Sequence, residues 1–454
     1  MKGKVNKTTR GSFATTFGII AAAAGSAIGL GNIWKFPYEA GQNGGGAFLL
    51  IYLVILIAIG IPIMMAEFIV GRSSHKNPVG ALKEASRSAT GGIVGIMGVI
   101  AAFLILAFYS TVAGWTMHYV YLSVKNVFAG LSPEEINLVF KQFIAGGYAP
   151  LFWQAVFMII TVGIVLLGVE KGIERYTKFL MPLLFLFLLI LCVRSVTLPN
   201  SIQGLKFLFV PNFTAINTQV ILNALGQVFF SLSLGMGTMI TYSSYFSDKE
   251  NLTKTAIQVS VLDTIVALLA GIAIFPAVFA MGLNPAEGTG LVFGVLPQVF
   301  NALPGGQIFA VLFFFLLVIA ALTSSISLLE VITAYSCEEL NITRKASTLW
   351  GGLLSLAVGV FVTLSFVPIE GLSSGNAIFF DFLDNLTSNI MLPLGGLLIV
   401  IIVGWIMDPK IIENQLRVEN PETNIFYKTY RLIIRYLAPI AIFMIFLSSI
   451  GFFK

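Results

Sequence analysis

The chain has 454 residues, 57% of them hydrophobic and only 10% charged, with a mean hydropathy of +0.93. Soluble domains carry about 25% charged residues, so the composition excludes a soluble globular domain and defines a polytopic membrane protein. The net charge of +5 calls for no nucleic-acid partner, because the cations follow membrane topology.

Eleven apolar segments are long enough to cross a bilayer: roughly 13–40, 43–70, 92–125, 150–169, 175–198, 218–245, 254–281, 307–339, 346–368, 378–407 and 431–453. Of the 26 Lys and Arg, all but Lys35, Lys125, Lys141, Arg194, Lys206 and Lys454 fall in segments on one side of the membrane. That bias places the N-terminus in the cytoplasm and, after eleven crossings, the C-terminus outside. No cleavable signal peptide is expected, since the first apolar segment is too long and runs straight into the second. Cys192 and Cys337 fall near opposite faces, so no disulfide is expected. Neither they nor His75 and His118 form a metal-ligand cluster. Short termini and no large outer domain suggest a bacterial inner membrane.

The first segment contains Gly25-Ser-Ala-Ile-Gly-Leu-Gly-Asn-Ile-Trp-Lys-Phe-Pro37. Glycine weakens a helix and lets backbone approach ligands closely, so this span is expected to break at mid-membrane. Freed N–H and C=O groups are tolerated at that depth only beside protein or a polar cavity. The stretch is therefore a candidate binding site; glycines that merely allow close helix packing are the bland alternative.

The loop Gly41–Gly46 makes a tight return into the second segment, which ends near Glu67, an acid expected to be paired structurally. Ser73–Thr90 reads as amphipathic and interfacial. In the third segment Ile105, Phe108, Tyr109 and Val112 share a face at helical spacing, and a buried Tyr109 phenol calls for a hydrogen-bond partner. Gly172 and Pro182 predict a fifth helix whose first turns can unwind. The sixth segment repeats the opening theme with Phe229-Phe-Ser-Leu-Ser-Leu-Gly-Met-Gly-Thr238. Two interrupted spans, five apart, point to a transporter of two five-helix halves sharing a midplane site. In the eighth segment Ser325 and Ser327 read by default as hydroxyls bonded back to their own helix, while Thr323-Ser324 offers hard oxygens for a cation. Asp381 and Asp384 open the tenth segment, where Asp384 is a plausible partner for Lys35. Glu338-Glu339 ends the eighth segment on the side of Arg10.

With these residues in hand, the sequence resembles the neurotransmitter:sodium symporter family, whose bacterial members show the LeuT fold. The resemblance runs from Arg10 to the last helix. Its most specific motifs are Gly25–Tyr38, Asn43-Gly-Gly-Gly-Ala-Phe48, Ser231-Leu-Ser-Leu-Gly235 and Leu322-Thr-Ser-Ser325. It implies an all-α polytopic protein: a cytoplasmic tail over 1–12, two inverted five-helix repeats over 13–198 and 218–407, and a further helix over 431–453.

The family implies two Na⁺ sites and one substrate site. The first ion would be held by Asn32, the Ala27 carbonyl, Ser231, Asp263 and the substrate carboxylate. The second would be held by the carbonyls of Gly25, Ile28 and Ala320 and the hydroxyls of Thr323 and Ser324. The substrate carboxylate would meet the N–H groups of Leu30 and Gly31 and the Tyr109 hydroxyl. The amine would face the carbonyls of Ala27, Phe230 and Ser231 and the side chain of Ser233. Monoamine carriers of the family have an aspartate where this chain has Gly29, which implies an amino-acid substrate. Ser26, Ile105, Phe108, Tyr109, Phe230, Met236, Ser324 and Leu328 would line its side-chain pocket. The Leu234-Gly-Met-Gly237 run resembles members that take aromatic or large hydrophobic amino acids.

Lys35 and Asp384 would close the outer side, with Tyr109 and Phe230 as a lid, and Arg10, Phe13 and Glu338 the inner side. Glu338 and Phe13 replace a usual aspartate and tryptophan. Asp263 replaces a usual asparagine, and Ala267 stands where chloride-independent relatives often carry an acid, which predicts that Asp263 supplies the charge and transport needs no chloride. A proton-coupled carrier of related fold stays open, as do a channel or sensor on the same scaffold. With no nucleophile–base pair in sight, an enzyme is not expected.

Overall fold

The computed structural model describes residues 12–285, 291–369 and 373–449. It is almost entirely helical. Thr15 caps the first helix, α1 (Thr16–Ala27), by accepting the Gly18 N–H. The helix ends where Ile28 turns extended, and the chain resumes as α2 (Gly31–Gln42), bent by 49° from α1. The break falls inside the glycine-rich stretch.

There follow α3 (Gly46–Ser74), α4 (Pro78–Ser86), α5 (Ala89–Val124), α6 (Pro133–Ala145), α7 (Tyr148–Leu166), α8 (Val169–Val196) and α9 (Ser201–Phe209). The second half holds α10 (Thr218–Ser231), α11 (Thr238–Ser243), α12 (Leu252–Ala280), α13 (Val292–Asn301), α14 (Gly306–Glu339), α15 (Arg344–Leu364), α16 (Ile378–Ile406), α17 (Pro409–Leu416) and α18 (425–449). A two-residue antiparallel pair, Pro368–Ile369 with Ser373–Ser374, lies between α15 and α16.

Among the described residues eight helices are long and apolar enough to span a membrane, and the bent α1–α2 pair makes a ninth. The remaining two expected segments are the interrupted α10–α11 and α18. The amphipathic stretch after α3 becomes α4, which caps itself with Asn77 and packs Val79 and Leu82 against the bundle. Hydropathy alone did not signal the short helices α6, α9, α13 and α17. The first of them carries a Ser132–Glu135 capping box, a signal independent of apolar length.

The second break covers residues 232–237, with Ser233, Gly235 and Gly237 all at positive φ. A Cβ on Gly235 would collide with the Leu392 carbonyl, so only glycine suits that position. Ser233 is held in its uncommon conformation by two hydrogen bonds: its hydroxyl donates to the Ser26 carbonyl (3.0 Å) and its carbonyl accepts from Thr238 Oγ1 (2.8 Å). The long helices α5 and α14 pack on one another at the centre, and both breaks face them.

Candidate functional site

A small cavity lies between the two breaks, walled by Ser26, Ala27, Gly29, Gly31, Ile105, Tyr109, Phe230, Ser233, Met236, Ser324, Ser327 and Leu328. A second, larger cavity toward the Lys35 end is walled by Leu30, Trp34, Lys35, Tyr38, Phe108, Tyr109, Val112, Phe230, Phe380, Asp381 and Asp384. Tyr109 and Phe230 belong to both walls and form the partition between them.

This geometry corrects the expectation for Phe108. The stripe on α5 splits: Ile105 and Tyr109 face the inner cavity, whereas Phe108 and Val112 face the outer one. Neighbouring residues on a helix point about 100° apart, so Phe108 and Tyr109 cannot both look inward. Phe108 instead packs edge-on against Phe380, with ring centroids 5.6 Å apart. Leu30 and Ser231 also lie outside the inner wall. The Leu30 N–H donates to the Tyr109 hydroxyl at 3.0 Å, which supplies the partner expected for that phenol. The Phe230 carbonyl accepts the N–H groups of Leu232 and Ser233.

Ser327 joins the wall unexpectedly. Its hydroxyl bonds back to the Ser324 carbonyl (2.7 Å), as expected of a helical serine, and accepts from Ser26 Oγ (2.8 Å). The spacing Ser324, Ser327, Leu328 on one helical face was the available signal. Ser325, read the same way, has no hydrogen-bond partner for its buried hydroxyl among the described residues. Gly29 is a close-approach position: a Cβ there would collide with Ser324 Oγ and lie 2.9 Å from the Tyr109 hydroxyl.

Two oxygen-rich clusters flank the inner cavity. In the first, Asn32 Nδ2 donates to Asp263 Oδ1 (2.7 Å), the Asp263 carbonyl (3.1 Å) and Ser231 Oγ (3.0 Å), while Asn32 Oδ1 accepts the Gly29 N–H (3.1 Å). The Ser231 hydroxyl lies 2.8 and 3.0 Å from the two carboxylate oxygens of Asp263. Tyr52, which carried no sequence signal, adds its hydroxyl at 3.2 Å. Asp263 is fully buried, and among the described residues no Lys, Arg or His pairs with it.

In the second cluster Thr323 Oγ1 lies 3.0 Å from the Ala320 carbonyl and 3.4 Å from that of Ile28. Ser324 Oγ lies 3.2 Å from the Ser26 carbonyl and 3.5 Å from that of Ile28. Gly25 packs beside Thr323, where a Cβ would sit 3.4 Å from the threonine Cβ. Carbonyls, hydroxyls and one carboxylate form a hard donor set suited to an alkali or alkaline-earth cation. Ala27 belongs to the cavity wall.

At the outer end Lys35 Nζ stands 4.0 Å from Asp384 Oδ1 and 4.4 Å above the Phe230 ring. At the opposite end Phe13 is buried among Tyr242, Tyr245 and Phe246, with centroids 5.8 to 6.2 Å away. Glu338 accepts the Asn77 backbone N–H (2.8 Å) and side-chain amide (3.0 Å) at the start of α4. Arg10 lies outside the described residues.

Several buried polar contacts hold the breaks in place. Glu67 accepts the Gly235 N–H at 2.7 Å, the structural role expected of it, and Gln227 Nε2 donates to the Gly31 carbonyl at 2.9 Å. At the start of α1, Glu174 accepts the Ala14 N–H (2.7 Å) and the Thr15 hydroxyl (2.9 Å). Glu330 binds Arg344 through two nitrogens and Tyr245 through its hydroxyl. Glu330 was detectable as an acid inside an apolar segment, whereas Glu174 falls in the charged run 170–175 between two of them.

Two helices broken around one closed cavity, with ion-suited oxygens beside it and a thin aromatic partition above, define a secondary membrane carrier. The family model described as "Sodium:neurotransmitter symporter family" matches residues 10–132 and 147–454. The chain belongs to this family and is a sodium-dependent transporter, not an enzyme.

It is 40% identical over 439 residues to the uncharacterized sodium-dependent transporter YhdH of Bacillus subtilis, covering 97% of each chain. An uncharacterized sodium-dependent transporter of Haemophilus influenzae is 36% identical over 98% of this chain and 99% of its own. The crystal structure of MhsT in complex with L-phenylalanine matches with a TM-score of 0.89 and 43% identity, covering 97% of this chain and 100% of that one. The architecture is therefore the LeuT fold expected from the sequence.

Proposed function

We propose that the protein is a Na⁺-coupled symporter that imports large hydrophobic or aromatic L-amino acids by alternating access, with two ions and without chloride. The observation that carries this reading is the buried Asp263 carboxylate beside the cavity, bonded only to neutral donors. Burying an unpaired charge is costly, and a cation among Asn32, Ser231 and Asp263 offsets that cost. Ligation by Asn32 through oxygen requires its amide to rotate, since its NH₂ now faces the carboxylate. A built-in anion at this place also removes the need to recruit chloride.

The second ion belongs among Ile28, Ala320, Thr323 and Ser324, with Gly25 adjoining. An amino-acid carboxylate fits at Leu30, Gly31 and Tyr109, where broken-helix N–H groups favour an anion. The close approach at Gly29 leaves no room for a side-chain acid, which argues against monoamines. The mostly apolar wall with adaptable Met236 suits a large apolar side chain, and the phenylalanine held by MhsT accords with that choice. Because the carboxylate would touch the first ion, substrate and sodium are expected to bind cooperatively. Opening then alternates between the Lys35–Asp384 side and the Phe13–Glu338 side, with Arg10 assigned to the inner closure. The cation bias supports a cytoplasmic N-terminus and a multi-pass location in a bacterial inner membrane.

The test is uptake of labelled phenylalanine, tyrosine, tryptophan and leucine into proteoliposomes under inward Na⁺, Li⁺ or H⁺ gradients, with chloride or gluconate outside. Concentrative uptake with Na⁺ alone, indifferent to chloride, is expected. Uptake driven by a proton gradient without sodium overturns both ion assignments.

A further inference from the structure

At the end of the bundle away from Glu174 and the α1 start, a crevice opens where α8, α12 and α14 converge beneath α13. Its wall is almost wholly apolar, including Leu191, Ala273, Ala277, Phe300 and Phe313. Two polar residues of α8 interrupt it. Ser195 is 3% exposed, and its buried hydroxyl has no hydrogen-bond partner among the described residues. Arg194 stands beside it with no carboxylate partner among the described residues. Its guanidinium lies 3.4 Å from Thr197 Oγ1, the edge of hydrogen-bond range, and its central carbon 5.8 Å from the centre of the Phe309 ring.

The neighbouring surface is apolar and outward-facing, with Val193 at 64% and Ile308 at 65% exposure, as expected of side chains in contact with lipid. Neither the transport cavity nor the two ion clusters include any of these residues. An orphaned buried hydroxyl costs free energy, and an unpaired guanidinium is the residue suited to phosphate recognition.

We propose that this crevice is a binding site for an anionic phospholipid such as phosphatidylglycerol. One acyl chain runs along the lipid-facing surface past Val193 and Ile308, the phosphate pairs with Arg194, and a glycerol-ester oxygen seated in the crevice accepts the Ser195 hydroxyl. The unpaired positive charge at the mouth of an apolar slot selects a charged amphiphile over a zwitterionic one. The inference rests on membrane residence alone and is independent of the transported substrate and of its coupling ion.

The experiment is native mass spectrometry of the purified, delipidated full-length protein with phosphatidylglycerol, phosphatidylcholine or oleate added at equal concentration. Retention of phosphatidylglycerol over phosphatidylcholine by roughly fivefold is expected, the factor one cation contributes at a lipid surface. Arg194→Gln removes the preference and Arg194→Lys restores it. Ala277→Trp, which fills the slot, removes retention of both lipids, and Ala273→Phe serves the same purpose if the first variant fails to fold. Equal retention of the two phospholipids by the unmodified protein overturns the proposal, as does a preference that survives Arg194→Gln. Binding undiminished in the slot-filling variants places the lipid elsewhere and also overturns it. Oleate retained in preference to phosphatidylglycerol makes the occupant a free fatty acid.

Discussion

Replacing Asp263 by Asn separates charge from hydrogen bonding at the first ion cluster. The carboxylate is bonded by Asn32 at 2.7 Å, Ser231 at 2.8 Å and Tyr52 at 3.2 Å. The hydroxyls of Ser231 and Tyr52 can rotate to accept from the new amide, so the neutral network is largely repairable. Its loss costs about 1 kcal/mol of stability. The charge has no substitute within the described residues. Removing one partner of a buried ion pair costs about 3–5 kcal/mol, which converts to roughly 100- to 4,000-fold weaker sodium binding at about 1.4 kcal/mol per decade. The assay is the sodium dependence of labelled phenylalanine binding in NaCl and in sodium gluconate. The half-saturating sodium concentration is expected to rise steeply in gluconate and to fall back toward the unmodified value in chloride, because a mobile anion replaces the lost one. A variant with an unchanged sodium curve, indifferent to chloride, refutes the assignment of Asp263 as the resident charge.

Gly29→Ala should abolish most uptake, since its Cβ collides with Ser324 Oγ and crowds Tyr109. Overpacking of about 1–3 kcal/mol predicts a loss of roughly 5- to 140-fold in substrate affinity, checked by equilibrium binding alongside thermal unfolding. Lys35→Met should alter uptake by no more than about fivefold, because the pair with Asp384 is half exposed and such pairs contribute about 0–1 kcal/mol; Lys35→Arg should behave as the unmodified protein in the same uptake assay. Glu174→Gln weakens the charged bonds to Ala14 and Thr15, and hydrogen exchange at the Ala14 amide should accelerate roughly tenfold. Gly172→Ala pushes a Cβ into the Ile164 carbonyl, and stopped-flow sodium release should slow if unwinding of α8 at Gly172 and Pro182 opens the inner path. Unchanged release in Gly172→Ala and Pro182→Ala counts against that role.

The membrane class, the number of apolar segments and the two helix breaks were determined by the sequence alone. Apolar length and glycine placement act locally, and the glycines of the Gly25–Gly31 run weaken the helix where the break falls. The adjacent hydroxyls of Thr323 and Ser324 likewise marked hard oxygen donors from the sequence, whereas Asp263 entered only through the family resemblance. What the sequence left open depended on contacts between distant segments. Tyr52 reaches Asp263 across 211 positions, and nothing in its neighbourhood distinguishes it from a packing aromatic. Phe108 and Tyr109 are adjacent in the chain, yet helix rotation places one in the outer cavity and makes the other part of the partition. The tertiary structure also decided that Asn32 turns its NH₂ toward Asp263, and that the crevice beside Arg194 leaves Ser195 without a partner. Helix formation depends on residues a turn apart, but a site depends on which turns of different helices face one another, and only packing determines that.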